Sequence, residues 1–134
     1  MQEAIRKATV LIEALGWIQR FRNKYVVVKI GGSTLDQPEA VDSLLTDVVF
    51  MASVGMRPVI VHGGGKAISA AMAGAGIVPR FVEGRRYTDA DTLKIASEVL
   101  VQTISAGIVD ALRAKGATAT GLHFLSENAL VAEK

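Results

Sequence analysis

Apolar residues recur along this chain with two different periods. Between Gln2 and Leu15, the residues Ile5, Ala8, Leu11, Ile12 and Leu15 stand at helical spacing. Gln2, Glu3, Arg6, Lys7 and Glu13 turn away from them, which predicts an amphipathic helix. Gly16 is expected to interrupt it, leaving Trp17, Ile18 and Phe21 as a short apolar continuation before the polar turn Arg22-Asn23-Lys24. From Tyr25 the pattern becomes a continuous run, Tyr-Val-Val-Val-Lys-Ile, that stops at Gly31-Gly32-Ser33. Such a run predicts a strand buried on both faces, as in a parallel sheet. A helix is expected from Pro38, whose fixed φ suits a first helical turn, through Val41, Leu44, Leu45, Val48, Val49 and Ala52 to a stop near Gly55. Pro58 to His62 reads as the second strand and ends at Gly63-Gly64-Gly65, completing a βαβ unit.

A further helix is predicted from about Lys66 to Gly74 or Gly76, and Ile77 to Val82 leads into a charged loop, Glu83-Gly84-Arg85-Arg86-Tyr87. Thr88, with Asp91 three residues on, resembles a capping box at the start of the longest helix. Leu93, Ala96, Leu100, Ile104, Ile108 and Leu112 should form its apolar face, with Gly116 as the stop. Short strands are expected at Ala117 to Leu122 and at Ala129 to Ala132. The fold class is therefore α/β with a mostly parallel sheet.

Composition narrows the function. The 134 residues suit one domain, and half of them are hydrophobic. The absence of cysteine excludes a disulfide framework, a thiolate zinc site and thiol catalysis. A net charge of +2 is not a nucleic-acid footprint. Basic groups gather before residue 25, but Glu3 and Glu13 interrupt them and no apolar signal region follows, so a cytoplasmic protein is expected. No stretch approaches the ~18 uninterrupted apolar residues of a membrane span, so neither membrane nor nucleic acid is an expected partner. Asp36, Asp42, Asp47, Asp89 and Asp91 do not cluster as metal ligands, and no metal site is expected.

Both glycine-rich turns fall at carboxyl ends of predicted strands, where open parallel sheets bind ligands. Gly31-Gly32 and Gly63-Gly64-Gly65 would face each other across one cleft of bare backbone N–H groups, ahead of helix N-termini, which suits a phosphoryl group. Lys29, two residues before the first turn, is costly in an apolar strand unless its ammonium finds an anion or snorkels to water. Familiar nucleotide motifs fail. A Walker loop ending at Gly65-Lys66 would need glycine at Ile60 and a hydroxyl at Ala67, and a dinucleotide fingerprint from Gly63 would need a small residue at Ile68. Arg85 or Arg86 could clamp a carboxylate through two parallel hydrogen bonds, with a solvated guanidinium as the plain alternative. Lys66 opposes a helix dipole but reads equally as a surface lysine, and His62 as a structural histidine holding its loop.

Three motifs together, Val-Val-Lys-Ile-Gly-Gly-Ser at 27–33, Val-Ile-Val-His-Gly-Gly-Gly-Lys at 59–66 and Gly-Arg-Arg-Tyr-Thr-Asp at 84–89, resemble the amino-acid kinase family along nearly the whole chain. The resemblance implies a three-layer α-β-α fold with an added N-terminal helix (residues 1–24) and a substrate-binding lobe (residues 25–134). It implies transfer of a phosphoryl group from ATP, as ATP-Mg, to the side-chain carboxylate of N-acetyl-L-glutamate, the second step of arginine biosynthesis. By position, Lys29 matches the lysine that stabilises the transferring group, and Gly31 and Gly32 match the phosphate-binding turn. Gly64, Gly65 and Arg86 match substrate-binding residues, with Arg86 on the α-carboxylate. The N-terminal helix resembles the extension of arginine-sensitive members that links dimers into hexamers, so arginine is an expected effector and a homo-oligomer an expected state. Family members are roughly twice this long, and their nucleotide lobe is expected to lie outside these residues, leaving them inactive alone. A carrier-bound aminoadipate kinase and a non-catalytic arginine-sensing or assembly module are the alternatives. The segment 121–128 departs from the family's pattern.

Overall fold

Tyr25–Ile30 (β1) and Arg57–His62 (β2) pair in parallel, in a register that sets Lys29 against Val61 and Ile30 against His62. The computed structural model describes residues 1–124 and Ser126. Around the strand pair stand the helices α1 (Gln2–Phe21), α2 (Gly32–Leu35), α3 (Pro38–Ser53) and α4 (Gly65–Gly74). A hairpin, β3 (Phe81–Val82) with β4 (Arg85–Arg86), precedes α5 (Ala90–Glu98), a π-helical segment (Val99–Ser105) and α6 (Ala106–Ala114). The architecture is mixed α/β.

Burial alternates along β1, so Val26, Val28 and Ile30 point inward while Tyr25, Val27 and Lys29 point out. Ile30, 1% exposed, meets Leu45 and Val48 of α3 and Ile108 and Leu112 of α6 in the main core cluster. A second cluster joins Ile68 and Met72 of α4 to Val99. The outward face is uncovered, with Tyr25 71% and Val27 66% exposed. An unbroken apolar run predicts cover on both faces, but among the described residues helices cover only one.

Several expected boundaries move, each for a local reason. α1 runs through Gly16 to Phe21 without interruption, because one interior glycine costs only about 1 kcal/mol. It buries no side chain of its own. Its end is fastened where Asn23, in a left-handed conformation (φ 60), donates its N–H to Gly55 O at 2.7 Å. The expected charged loop at 83–87 is the tip of a hairpin whose two turn residues, Glu83 (φ 49) and Gly84 (φ 77), match the twist of the flanking strands. Arg86 therefore sits on a strand, opposite Phe81. The segment Ala117 to Leu122 forms no strand, and instead Arg113 donates from Nε and Nη2 to Ala119 O at 3.2 and 2.9 Å. The strand expected at 129–132 lies outside the described residues.

The longest helix keeps its expected face at Ala96, Leu100, Ile104, Ile108 and Leu112, which pack into the core clusters, but not at its start. Leu93, expected on its apolar face, is exposed, and Thr92 is buried in its place. From Thr92 and Val99 an α-helical stripe would continue at 103 and 106, yet Ile104, Ile108 and Leu112 are the residues that reach the core. The π-helical turns of Val99–Ser105 supply the extra residue that joins these two stripes. By length and composition the helix from Ala90 to Ala114 would suffice to cross a membrane. Here Val99, Ile108 and Leu112 pack into the two core clusters.

Asp89, not Thr88, caps this helix. Thr88 Oγ1 donates to Arg86 O instead, and Thr92 N–H donates to Asp89 Oδ1 at 2.9 Å. That bond first, then the Thr92 hydroxyl, holds the Asp89 carboxyl below its ordinary value of 3.8 against a partial opposing effect of desolvation. Asp89's own amide and the charge of Arg80 add smaller effects in the same direction. A carboxyl with a depressed folded-state pKa stabilises the fold above its unfolded pKa, and this contribution disappears as pH falls through the folded value. Asp89→Asn keeps an acceptor at the cap without the charge. Its thermal midpoint should therefore fall less steeply than that of the parent as the pH drops below about 4. Asp89→Ala should lower the midpoint at pH 7.

Candidate functional site

The two glycine turns leave the strand pair at the same end. Gly31 becomes the N-cap of α2 and Gly64 the N-cap of α4, while Gly63 N–H donates to Ile30 O at 3.4 Å and holds the turns together. None of Gly31, Gly32, Gly63, Gly64 or Gly65 has a left-handed φ. A Cβ on Gly64 would stand 2.7 Å from Ile104 Cδ1 and 2.8 Å from Leu100 Cδ2, so a side chain there would have to push aside two terminal methyl groups of the π-helical segment. A Cβ on Gly31, Gly32, Gly63 or Gly65 would meet nothing within 4 Å. Neither conformation nor packing among the described residues calls for glycine at these four positions. What remains is the bare backbone they present to whatever approaches it. No side chain caps α4, so its first amide groups are free to face an anion.

The charged side chains take different places around these turns. Lys29 lies exposed on the open face of β1, and among the described residues no hydrogen bond or ion pair holds it. The burial cost expected for a lysine in an apolar strand does not arise, since its ammonium is in solvent. Lys66 Nζ pairs with Asp36 Oδ2 at 2.6 Å, linking the first turn of α4 to the end of α2. With side chains 74% and 42% exposed, the pair contributes at most about 1 kcal/mol, but it offsets the charge of Lys66 at a helix N-terminus. His62 Nδ1 lies 3.0 Å from Gly63 O.

Arg86 and Arg85 part company. Arg85 is exposed, whereas Arg86 is half-buried against α4. Its Nη2 donates to Gly65 O at 2.9 Å and to Ser69 Oγ at 2.8 Å, and its Nη1 lies 3.1 Å from Met72 Sδ. The Phe81 ring stands 4.9 Å from its Cζ. The structure thus brings Arg86 to Gly65, and Gly31-Gly32 to Gly63-Gly64. A cleft of about 410 Å³ opens on the helix side of the turns, between α3 and α6, with Gly32, Gly64 and the Lys66–Asp36 pair among its lining residues. Neither Lys29 nor Arg86 reaches it, and its remaining walls are mainly apolar. Lys29, Arg86, Gly31, Gly63 and Gly65 lie outside this cleft, and Gly32, Gly64 and Lys66 stand at its edge.

Sequence reasoning missed Asp36, Ser69, Met72, Phe81, Leu100 and Ile104. Ser69 and Met72 stand four and seven residues beyond Gly65, on one helical face, and this spacing was the available signal. Asp36 and Lys66 are thirty residues apart, and nothing local links them.

The sequence pattern of the amino acid kinase family matches residues 24–132, and the chain belongs to that family. Within it, the chain resembles acetylglutamate kinases. It is 43% identical over 118 residues to the enzyme of Synechococcus sp., covering 88% of this chain and 39% of that protein. Against the acetylglutamate kinase of Methanothermobacter thermautotrophicus the identity is 41% over 130 residues, covering 97% and 44%. The chloroplastic enzyme of Arabidopsis thaliana is 43% identical, with 87% and 33% covered. The chain thus spans less than half the length of these curated relatives. Among solved structures, N-acetylglutamate synthase from Neisseria gonorrhoeae, complexed with coenzyme A and N-acetyl-glutamate, shares the fold. Its TM-score is 0.66 at 24% identity, over 79% of this chain and 24% of that one. The protein smu.665 from Streptococcus mutans UA159 also gives 0.66, at 28% identity over 74% of this chain and 40% of its own.

Packing separates Gly64 from its neighbours in a way that stability measurements can read. Gly64→Ala should destabilise by about 1–3 kcal/mol in urea unfolding, as overpacking does. Gly65→Ala, with open space at its Cβ, should leave stability unchanged or raise it by up to about 1 kcal/mol.

Proposed function

We propose that these residues form the substrate-binding part of an N-acetylglutamate kinase, which transfers a phosphoryl group from ATP to N-acetyl-L-glutamate in arginine biosynthesis. The names of the relatives support this reading. The observation that carries it is the set of glycines at adjoining strand ends that the chain itself does not require, with Arg86 fixed beside Gly65. A side-chain carboxylate oxygen of the substrate attacks the γ-phosphorus, the bond to the β–γ bridging oxygen breaks, and ADP leaves with an acyl phosphate formed. A carboxylate nucleophile needs no general base, so catalysis rests on alignment and charge stabilisation.

In this reading the Lys29 ammonium balances charge on the transferring phosphoryl group, and the amides of Gly31 and Gly32 approach its oxygens. Gly64 and Gly65 present backbone to the substrate, and Arg86 takes its α-carboxylate. Lys29 stands free in solvent, as a residue awaiting an anion would. ATP-Mg supplies the phosphoryl group, and these 134 residues by themselves bind N-acetyl-L-glutamate without turning it over. Among the described residues no side chain of α1 is fully buried, which supports its docking on another copy in an oligomer, with arginine as the effector the family resemblance implies.

Calorimetric titration of the purified chain tests the assignment. N-acetyl-L-glutamate should bind, while L-glutamate and ATP-Mg in parallel runs should not. A folded chain that ignores N-acetyl-L-glutamate would overturn it. Arg86→Ala should weaken that binding about 10- to 100-fold, the scale of a hydrogen bond to a charged group, and Lys29→Ala should leave it within about twofold.

A further inference from the structure

A guanidinium carries five N–H donors, and a carboxylate is held by two of them on one edge. One such edge pairs Nε–H with an Nη2 hydrogen, and the other pairs an Nη1 with an Nη2 hydrogen, so every bidentate arrangement needs Nη2. In Arg86 both Nη2 hydrogens have protein acceptors, Gly65 O at 2.9 Å and Ser69 Oγ at 2.8 Å. The Ser69 hydroxyl in turn donates to Gly65 O at 3.0 Å, closing a three-membered network. As it stands, the residue assigned to the substrate's α-carboxylate has no free fork to offer.

The two acceptors differ in what they can do. Gly65 O belongs to the backbone of the first turn of α4 and is fixed by the helix. The Ser69 hydroxyl can rotate about its own bond and still satisfy itself elsewhere. We propose that Ser69 sets the affinity of this site: its oxygen occupies the place of one carboxylate oxygen on Arg86, and a ligand carboxylate must displace it. This inference rests on the reading that Arg86 receives the α-carboxylate. Gly65 O, Met72 Sδ and the Phe81 ring hold the guanidinium without Ser69, so removing the hydroxyl frees a donor and leaves the orientation in place.

The test compares N-acetyl-L-glutamate with N-acetyl-4-aminobutyrate, the same molecule without its α-carboxylate, by calorimetry on the parent chain, Ser69→Ala, Ser69→Thr and Arg86→Ala. Ser69→Ala should tighten N-acetyl-L-glutamate about three- to tenfold, the scale of one hydrogen bond, and leave N-acetyl-4-aminobutyrate unchanged. Ser69→Thr, which keeps the hydroxyl, should behave as the parent. A purely structural role for Ser69 would shift both ligands together. If Arg86→Ala weakens N-acetyl-L-glutamate while Ser69→Ala leaves it unchanged or weaker, the role of Ser69 is overturned and that of Arg86 stands. If Arg86→Ala binds as the parent does, or the parent binds neither ligand, both fail.

Discussion

The register of the parallel pair governs everything else in this structure. Ile30 is pinned in the core by α3 and α6, and it lies opposite His62, so both strands end at one level and both glycine turns leave side by side. A slip of one residue would exchange the two faces of β1, carrying Lys29 into the core and Ile30 out of it. Burial of Ile30 thus decides which side of the sheet bears the lysine. The same contact decides which turn meets which.

A second dependence runs through the π-helical segment. Ile104 packs against both core clusters, and its terminal methyl, with that of Leu100, closes over the Cα of Gly64. The loop that opens α4 therefore rests on the core rather than on solvent. An α-helical continuation would bring other side chains to that surface, since the stripe from Thr92 and Val99 would proceed through Thr103. Irregularity in the long helix and the shape of the glycine turn are one arrangement seen from two sides.

The two paired strands β1 and β2, their glycine ends and most helices were legible because each ends in an abrupt change of pattern, as Ile30 to Gly31 and His62 to Gly63 show. The short β3–β4 hairpin, by contrast, read as a loop, and 117–122 read as a strand that does not form. Other features were hidden for definite reasons. Thr88 and Asp89 are both good caps, and the choice between them depends on the hairpin, where Tyr87 N–H closes onto Arg80 O at 2.9 Å and directs Thr88 back to Arg86. Stepping by three or four placed Ala96, Leu100, Ile104, Ile108 and Leu112 inward as found. It also placed Leu93 inward, where Thr92 is buried instead, and it gave no sign of the π-helical turns between Val99 and Ser105. At the site, glycines and cations were visible as residue types. Their contacts were not, because Ser69, Met72 and Phe81 reach Arg86 only once the hairpin has folded onto α4.

The chain has a single tryptophan, Trp17, and it lies in α1, stacked on Phe21 with ring centroids 6.3 Å apart and with the Arg20 guanidinium over its ring. It is 56% exposed in a helix that shares no buried side chain with the sheet. Intrinsic fluorescence of this protein is therefore a local optical probe of the N-terminal helix. It would report a second molecule settling against α1 by a blue shift, while the melting of the β1–β2 core could pass with little change in emission.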